Sequence, residues 1–230
     1  MEIIKQIIFF IIITPIILFS KQYEYEVSIF GVNCADIYIN YIDTLYNNQE
    51  AIKIEYKTKT KKAIEYFFFV ENTYTSIINK YNYDVLSFSK KTKQPNITNN
   101  INTYYRNDSL LYNNNQNYNN QYYNIFSFFH FLQMNNNKDS FKSLDFLERE
   151  GKIYDMVLNK KASLNQTKYK LSLNINNDLS KNAIIENTDI FTWGVFLPNA
   201  KREIIINTYE QIITKCQFSI GLINVKATLK

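Results

Sequence analysis

Alternation with a period of two residues runs through most of the chain. Tyr23, Tyr25, Val27 and Ile29 fall on one face of an extended segment, opposite Glu24, Glu26 and Ser28. That is the mark of a strand buried on one side and wetted on the other. Gly31, Asn33 and Cys34 interrupt the pattern, and Ile37, Ile39 and Tyr41 resume it, which predicts a hairpin. Next, Ile52, Ile54, Tyr56, Thr58 and Thr60 oppose Lys53, Glu55, Lys57, Lys59 and Lys61. A wetted face of this kind belongs to antiparallel sheets, because parallel sheets are covered on both sides. The row of lysines also discourages edge pairing. Further strands are predicted at 63–70, 74–78 and 83–89, with a short one near Tyr104. Others follow at 141–147, 153–158, 169–175, 189–197, 203–209 and 225–229, with a turn around Gly151.

One segment has a different period. Ile125, Phe128, Phe129 and Leu132 are spaced i, i+3, i+4, i+7, which predicts a helix over 125–132. Phe126 and Phe131 make its flanks apolar too, so it should be well buried. Before it, residues 113–124 read NNNQNYNNQYYN, a low-complexity stretch that predicts a loop. No βαβ alternation and no repeat occur. The predicted fold class is mainly β: antiparallel strands in a curved sheet or half-open barrel with one short buried helix.

The N-terminus stands apart. Lys5 precedes the apolar run IIFFIIITPIILF from Ile7 to Phe19. Crossing a bilayer takes about 20 apolar residues, so the run matches the core of a secretion signal better than a membrane span. Ser20 is a suitable cleavage position, giving a signal at 1–20 and a single domain at 21–230. Leu18 fits the cleavage pattern less well, which keeps an uncleaved anchor as the alternative. Membrane contact is then expected only through this segment. Cys34 lies too far downstream for a lipid-anchored cysteine. The expectation is export, to the periplasm or the periplasmic face of a membrane.

Composition narrows the function classes. Of the 230 residues 46% are hydrophobic and 16% aromatic, too apolar for a disordered chain. The net charge of +5 arises from 26 basic and 21 acidic residues spread along the sequence. No basic stripe with interleaved aromatics occurs, so nucleic acid is not an expected partner. Gly (4) and Pro (3) are scarce, which leaves turn formation to the abundant Asn.

Candidate chemistry is sparse. The one histidine, His130, sits in the aromatic helix with no nucleophile or orienting acid nearby, and reads as structural. One His and two Cys do not make a zinc set, and no cofactor motif occurs: the four glycines at 31, 151, 194 and 221 are too far apart for a phosphate loop. Glu148 and Glu150 flank a turn and read as solvent-facing. No catalytic residue is assigned, and a non-enzyme is expected. Cys34 and Cys216 lie near the first and last strands, as a candidate disulfide or two buried thiols. Trp193 sits in an apolar segment as a core anchor or pocket wall.

Three stretches resemble an exported bacterial family, the domain of unknown function 3108. They are Tyr25 to Ile39, with Gly31 at the turn; the apolar 126–132 segment followed by the Gly151-Lys152-Ile153-Tyr154 turn; and the Ile190 to Leu229 region with Trp193, Gly221 and Leu229. Ala35 stands in place of a second glycine, and Gly194, Val195 and Glu203 stand where the family usually has Ser or Thr, Asp and Pro. The resemblance implies an antiparallel β fold, an incomplete barrel or curved sheet holding a helix, and brings no activity with it.

Two functional readings follow. One is a carrier for an apolar ligand such as a lipid, with Phe128, Phe129, Leu132 and Trp193 as candidate lining residues. The other is a structural or envelope-assembly protein acting through protein contacts. Cavity size discriminates, since a carrier needs unfilled apolar space and an assembly factor does not.

Overall fold

The computed structural model describes residues 20–107, 109–112, 117–119, 121–136, 146–180, 184–185 and 187–230. The predicted signal core, much of the Asn-rich run and the first part of the predicted 141–147 strand lie outside these residues.

Fourteen strands among the described residues form one antiparallel sheet. The chain enters at its centre with β1 (Ser20–Ile29), hairpins into β2 (Val32–Tyr46) and meanders outward. The meander runs through β3 (Gln49–Thr60), β4 (Glu71–Asn79), β5 (Val85–Gln94), β6 (Ile97–Arg106), β7 (Ser109–Tyr112) and β8 (Asn117–Asn119). Helix α2 (Ile125–Met134) then carries the chain to the opposite edge, β9 (Phe146–Arg149). From there β10 (Lys152–Ala162), β11 (Gln166–Asn176), β12 (Lys201–Asn207), β13 (Ile212–Ile220) and β14 (Ile223–Leu229) meander back. β14 pairs with β1, with Tyr25 opposite Leu229 and Ile29 opposite Val225.

The alternation read from the sequence sets which side faces in. Tyr25, Ile39, Tyr41, Ile54, Tyr56, Tyr74, Ile78, Leu171 and Ile204 are buried together. Asn does the turn work expected of it: Asn47, Asn48, Asn96, Asn107 and Asn199 all adopt positive φ, a conformation that Asn tolerates better than other non-Gly residues.

Helix α2 lies where its spacing predicts. Asn124 caps it, accepting from the Phe126 and Ser127 N–H groups at 3.1 and 2.9 Å. Phe126 packs against Tyr56 and Tyr74, with ring centroids 4.7 Å apart in both pairs. His130 is buried with both ring nitrogens unpartnered, and burial pulls its pKa down to about 4, so the ring is neutral.

The two edges of the sheet meet without a shared ladder. Across this seam, the Glu148 N–H donates to the Tyr123 carbonyl at 2.8 Å. The Tyr112 hydroxyl donates to Glu148 Oε2 at 2.7 Å, and the Tyr118 hydroxyl to the Gly151 carbonyl at 3.2 Å. The barrel is therefore closed by side-chain bonds and one backbone bond, not by a strand ladder.

Four readings are corrected. Residues 189–197 hold a helix, α3 (Ile190–Phe196), and 63–70 hold a short helix, α1 (Lys62–Glu65), and a loop, where strands were predicted. Three successive phenylalanines at 67–69 lack the apolar–polar alternation of a strand wetted on one face, and this segment bridges β3 and β4 at one end of the barrel. Within 113–124, residues 117–119 form β8 with Tyr118 buried, not a solvated loop. Glu148 and Glu150 are buried, not solvent-facing, because the β9–β10 turn folds onto the opposing edge of the sheet.

Burial raises the Glu148 pKa to about 7, against the pull of the Gly151 N–H and Tyr112 hydrogen bonds. The folded chain therefore keeps a proton that the unfolded chain releases near its ordinary value of 4.5. This contribution to stability is fully present below that value and is lost as pH rises to about 7. Relative to Glu148→Gln, which cannot ionise, the wild type should be at its best in acid and lose ground up to neutrality. Thermal unfolding of both proteins from pH 4 to 8 checks this. A difference independent of pH would show that Glu148 carries no such proton.

Candidate functional site

The barrel has an apolar cavity of 290 Å3 beneath α3. Its walls come from β1, β2, β12, β13 and β14 through residues such as Val27, Ile37, Ile204, Cys216 and Ala227. Ile125 and Phe129 of α2 form the floor, and Ile190, Phe191 and Val195 of α3 form the roof. A smaller space of 50 Å3 adjoins it and shares Phe129, Phe191, Cys216 and Ala227. Phe68 and Ile190 line the cavity yet are partly exposed, so they mark its mouth.

Helix α3 makes the cavity, and a buried ion network holds α3. Asp189 caps the helix, accepting from the Phe191 and Thr192 N–H groups, both at 3.0 Å. Its Oδ2 lies 2.6 Å from Lys90 Nζ and accepts from the Thr192 hydroxyl at 2.7 Å. Its Oδ1 also accepts from the Tyr74 hydroxyl at 2.6 Å. Lys90 pairs in addition with Glu150 and donates to Thr188 Oγ1 at 2.8 Å. Burial pushes the Asp189 carboxyl up, but the Lys90 charge and the hydrogen bonds from Lys90, Tyr74 and Thr192 outweigh it, and the net shift is downward. Farther along, Gln94 accepts from the Ile190 N–H at 3.1 Å and donates to Asn72, also at 3.1 Å. Lys90, Glu150 and Asp189 are all buried, so the network anchors the roof and faces no solvent.

The other end of α3 is held by Arg202. This guanidinium donates to the carbonyls of Val195, Leu197 (2.6 Å) and Ala200 (2.8 Å), satisfying groups that a helix C-terminus leaves unpaired. Burial lowers its pKa. Arg202 is the charged residue on the cavity wall, and these bonds turn its donors toward the helix. At Gly194 a β-carbon would lie 2.6 Å from Phe218 Cζ, so glycine permits α3 to lie directly on β13.

Of the candidate lining residues, Phe129 lines the cavity. Phe128 and Leu132 are wholly buried in the core around α2, and neither lines the cavity. Trp193 is 46% exposed on α3 and does not line it either. Cys34 and Cys216 are free thiols, and both line the cavity. The register runs Ala35 to Val27 to Ala227 to Cys216, three strand spacings or about 14 Å along the sheet. A disulfide requires Cα atoms within about 7 Å. Burial pushes the Cys216 thiol up to about 12, so it is not ionised. Among the described residues no His, Cys, Asp and Glu side chains are grouped as a metal site.

Sequence reasoning missed Lys90, Asp189 and Arg202. Two signals were present. Lys90 continues the inward row of Phe88, Thr92 and Gln94. Asp189 and Pro198 bracket the 190–196 run as a helix start and stop.

No family model matches the chain, and no curated protein does. A solved structure does: the β-barrel-like protein of domain of unknown function DUF1849 from Brucella abortus, with a TM-score of 0.50 and 7% identity. The match covers 91% of this chain and 95% of that one. The chain has a β-barrel-like fold. At this identity the likeness concerns fold alone; it supports a β-barrel-like domain of unknown function and does not extend to family 3108 in particular.

Removing Lys90 leaves two carboxylates buried without their cation. Lys90→Met should therefore cost about 3–5 kcal/mol of stability, whereas replacing the whole triad (Lys90→Met, Glu150→Gln, Asp189→Asn) should cost less. Chemical denaturation of the two variants checks both. A single variant as stable as the wild type would show that the network does not hold the roof.

Proposed function

We propose that the protein is an exported carrier that holds one apolar chain, such as a lipid acyl chain, in the cavity beneath α3. The observation that carries this reading is the 290 Å3 of apolar space beneath α3. The lining is almost wholly apolar, so water entering through the mouth finds few hydrogen-bond partners there. An apolar occupant removes that unfavourable contact and an assembly factor has no use for the space, which favours a carrier over action through protein contacts. The volume lies at the lower end of ligand pockets, about 300–1,000 Å3, so it suits one chain, not a lipid with several. Arg202 is engaged by three carbonyls, so the wall offers the chain little but hydrocarbon. The apolar N-terminal run supports export.

The test is uptake of palmitate, followed by native mass spectrometry. The wild type should take up one molecule. Ala35→Leu with Ala227→Leu, two cavity-wall positions, should abolish uptake without lowering the melting temperature, because the added methyl groups fill the void. Failure of the wild type to take up palmitate, or unchanged uptake by the filled variant, would refute the reading.

A further inference from the structure

The mouth of the cavity is surrounded by apolar side chains that face water. Phe30 and Val32 on the β1–β2 turn, Tyr66 and Phe67 after α1, Trp193 on α3 and Leu222 on the β13–β14 turn are all exposed, with Tyr66 at 93%, Phe67 at 80% and Leu222 at 92%. These connections share one end of the barrel. The register sets Ile29 opposite both Val32 and Val225, and Ala35 opposite Thr60. Backbone bonds join them, from the Phe30 N–H to Asn224 at 3.3 Å and from the Lys61 N–H to Cys34 at 2.9 Å. Phe68 and Ile190 belong to both the cavity wall and the exposed surface, so ring and cavity form one apolar surface. The opposite end differs: Leu45 near the end of β2, and Tyr81, Leu164 and Tyr209 on separate connections, are exposed, and scattered exposure of this kind is ordinary for a protein surface.

Phe30 adds a second sign of selection for something other than stability. It has φ +52° at the tip of its turn, where a bulky aromatic residue is an outlier, and its ring is exposed. Neither the backbone nor the side chain gains from phenylalanine there in the isolated molecule.

We propose that this ring docks the mouth of the barrel onto the surface of a lipid bilayer, so that a chain passes between membrane and cavity without crossing water. The proposal rests on the carrier reading. The occupant is argued from the cavity at the ring's centre, which takes the chains a bilayer is made of, and from the ring's chemistry. Aromatic and aliphatic side chains enter the boundary between head groups and acyl chains, while Lys62, Lys201 and Lys226, exposed at the same end, reach phosphates. Among the described residues no helix is long and apolar enough to cross a membrane; the proposed docking places the ring in one surface of the bilayer.

The sole tryptophan of the chain, Trp193, stands in this ring and reports on its surroundings. The full chain, as recovered after export, is mixed with vesicles of phosphatidylcholine and phosphatidylglycerol at three to one. Trp193 emission should shift to the blue and be quenched by brominated acyl chains. Phe67→Ser with Leu222→Ser, both highly exposed and so harmless to folding, should weaken this response tenfold or more while palmitate uptake in vesicle-free solution stays unchanged. Emission that ignores vesicles, or a variant that responds like the wild type, overturns the proposal and points to a protein as the ring's partner. Loss of palmitate uptake in the wild type, with the vesicle response intact, overturns the carrier reading instead.

Discussion

Everything in this structure depends on how an open antiparallel sheet disposes of its two edges. Strands β8 and β9 lie at opposite ends of one fourteen-stranded order, and an edge left bare is a template for pairing with another chain. Here curvature brings the edges together, and the seam is sealed by Tyr112, Tyr118 and Glu148 through buried hydrogen bonds and by the bond between Glu148 and Tyr123. Helix α2, which links the two edges in sequence, fills the interior they enclose. Closure that relies on Glu148 differs from closure by a ladder: it depends on pH, because this group holds a proton near neutrality.

The same β9–β10 turn that carries Glu148 into the seam carries Glu150 into the ion network under α3. Barrel closure and roof placement are thereby coupled two residues apart, with Arg149 between them. Burying Lys90 with two carboxylates adds little to stability compared with an apolar core, since desolvation offsets much of the attraction. What it contributes is position: Lys90 from β5 pairs with Asp189 at the start of α3 and with Glu150 from the turn in a single arrangement, which fixes where α3 begins. The cavity lies beneath that helix. Asp189 pins the helix at its N-terminus and Arg202 at its C-terminus, and Phe191 stacks on Phe126 of α2 with ring centroids 5.8 Å apart, so roof and floor meet on one side of the space.

How much of this was legible beforehand differs from element to element. The alternation of Tyr25, Val27 and Ile29, and of Ile52, Ile54 and Tyr56, is local, so the strands and their inward faces could be read directly, as could α2 from Ile125, Phe128, Phe129 and Leu132. The short apolar run at 190–196 could not be sorted by period alone, because a buried strand and a buried helix of that length look alike; the cap at Asp189 was the signal that decides it. For Glu148 and Glu150, two acids beside a turn pointed to water, and only the meeting of distant edges put them inside. Likewise the two cysteines were brought into one cavity wall but held three strands apart.

By itself the sequence determined the class of fold, the inward and outward faces of its strands and the buried helix, because those follow from side-chain period within a few residues. Only the tertiary structure decided the closed seam, the charge network, the placement of Phe129 in a cavity wall with Phe128 and Leu132 in solid core, and the apolar ring at the mouth. Each of these arises from residues far apart in the chain, such as Tyr74 and Asp189, 115 positions apart, brought together by curvature of the sheet that no local pattern encodes.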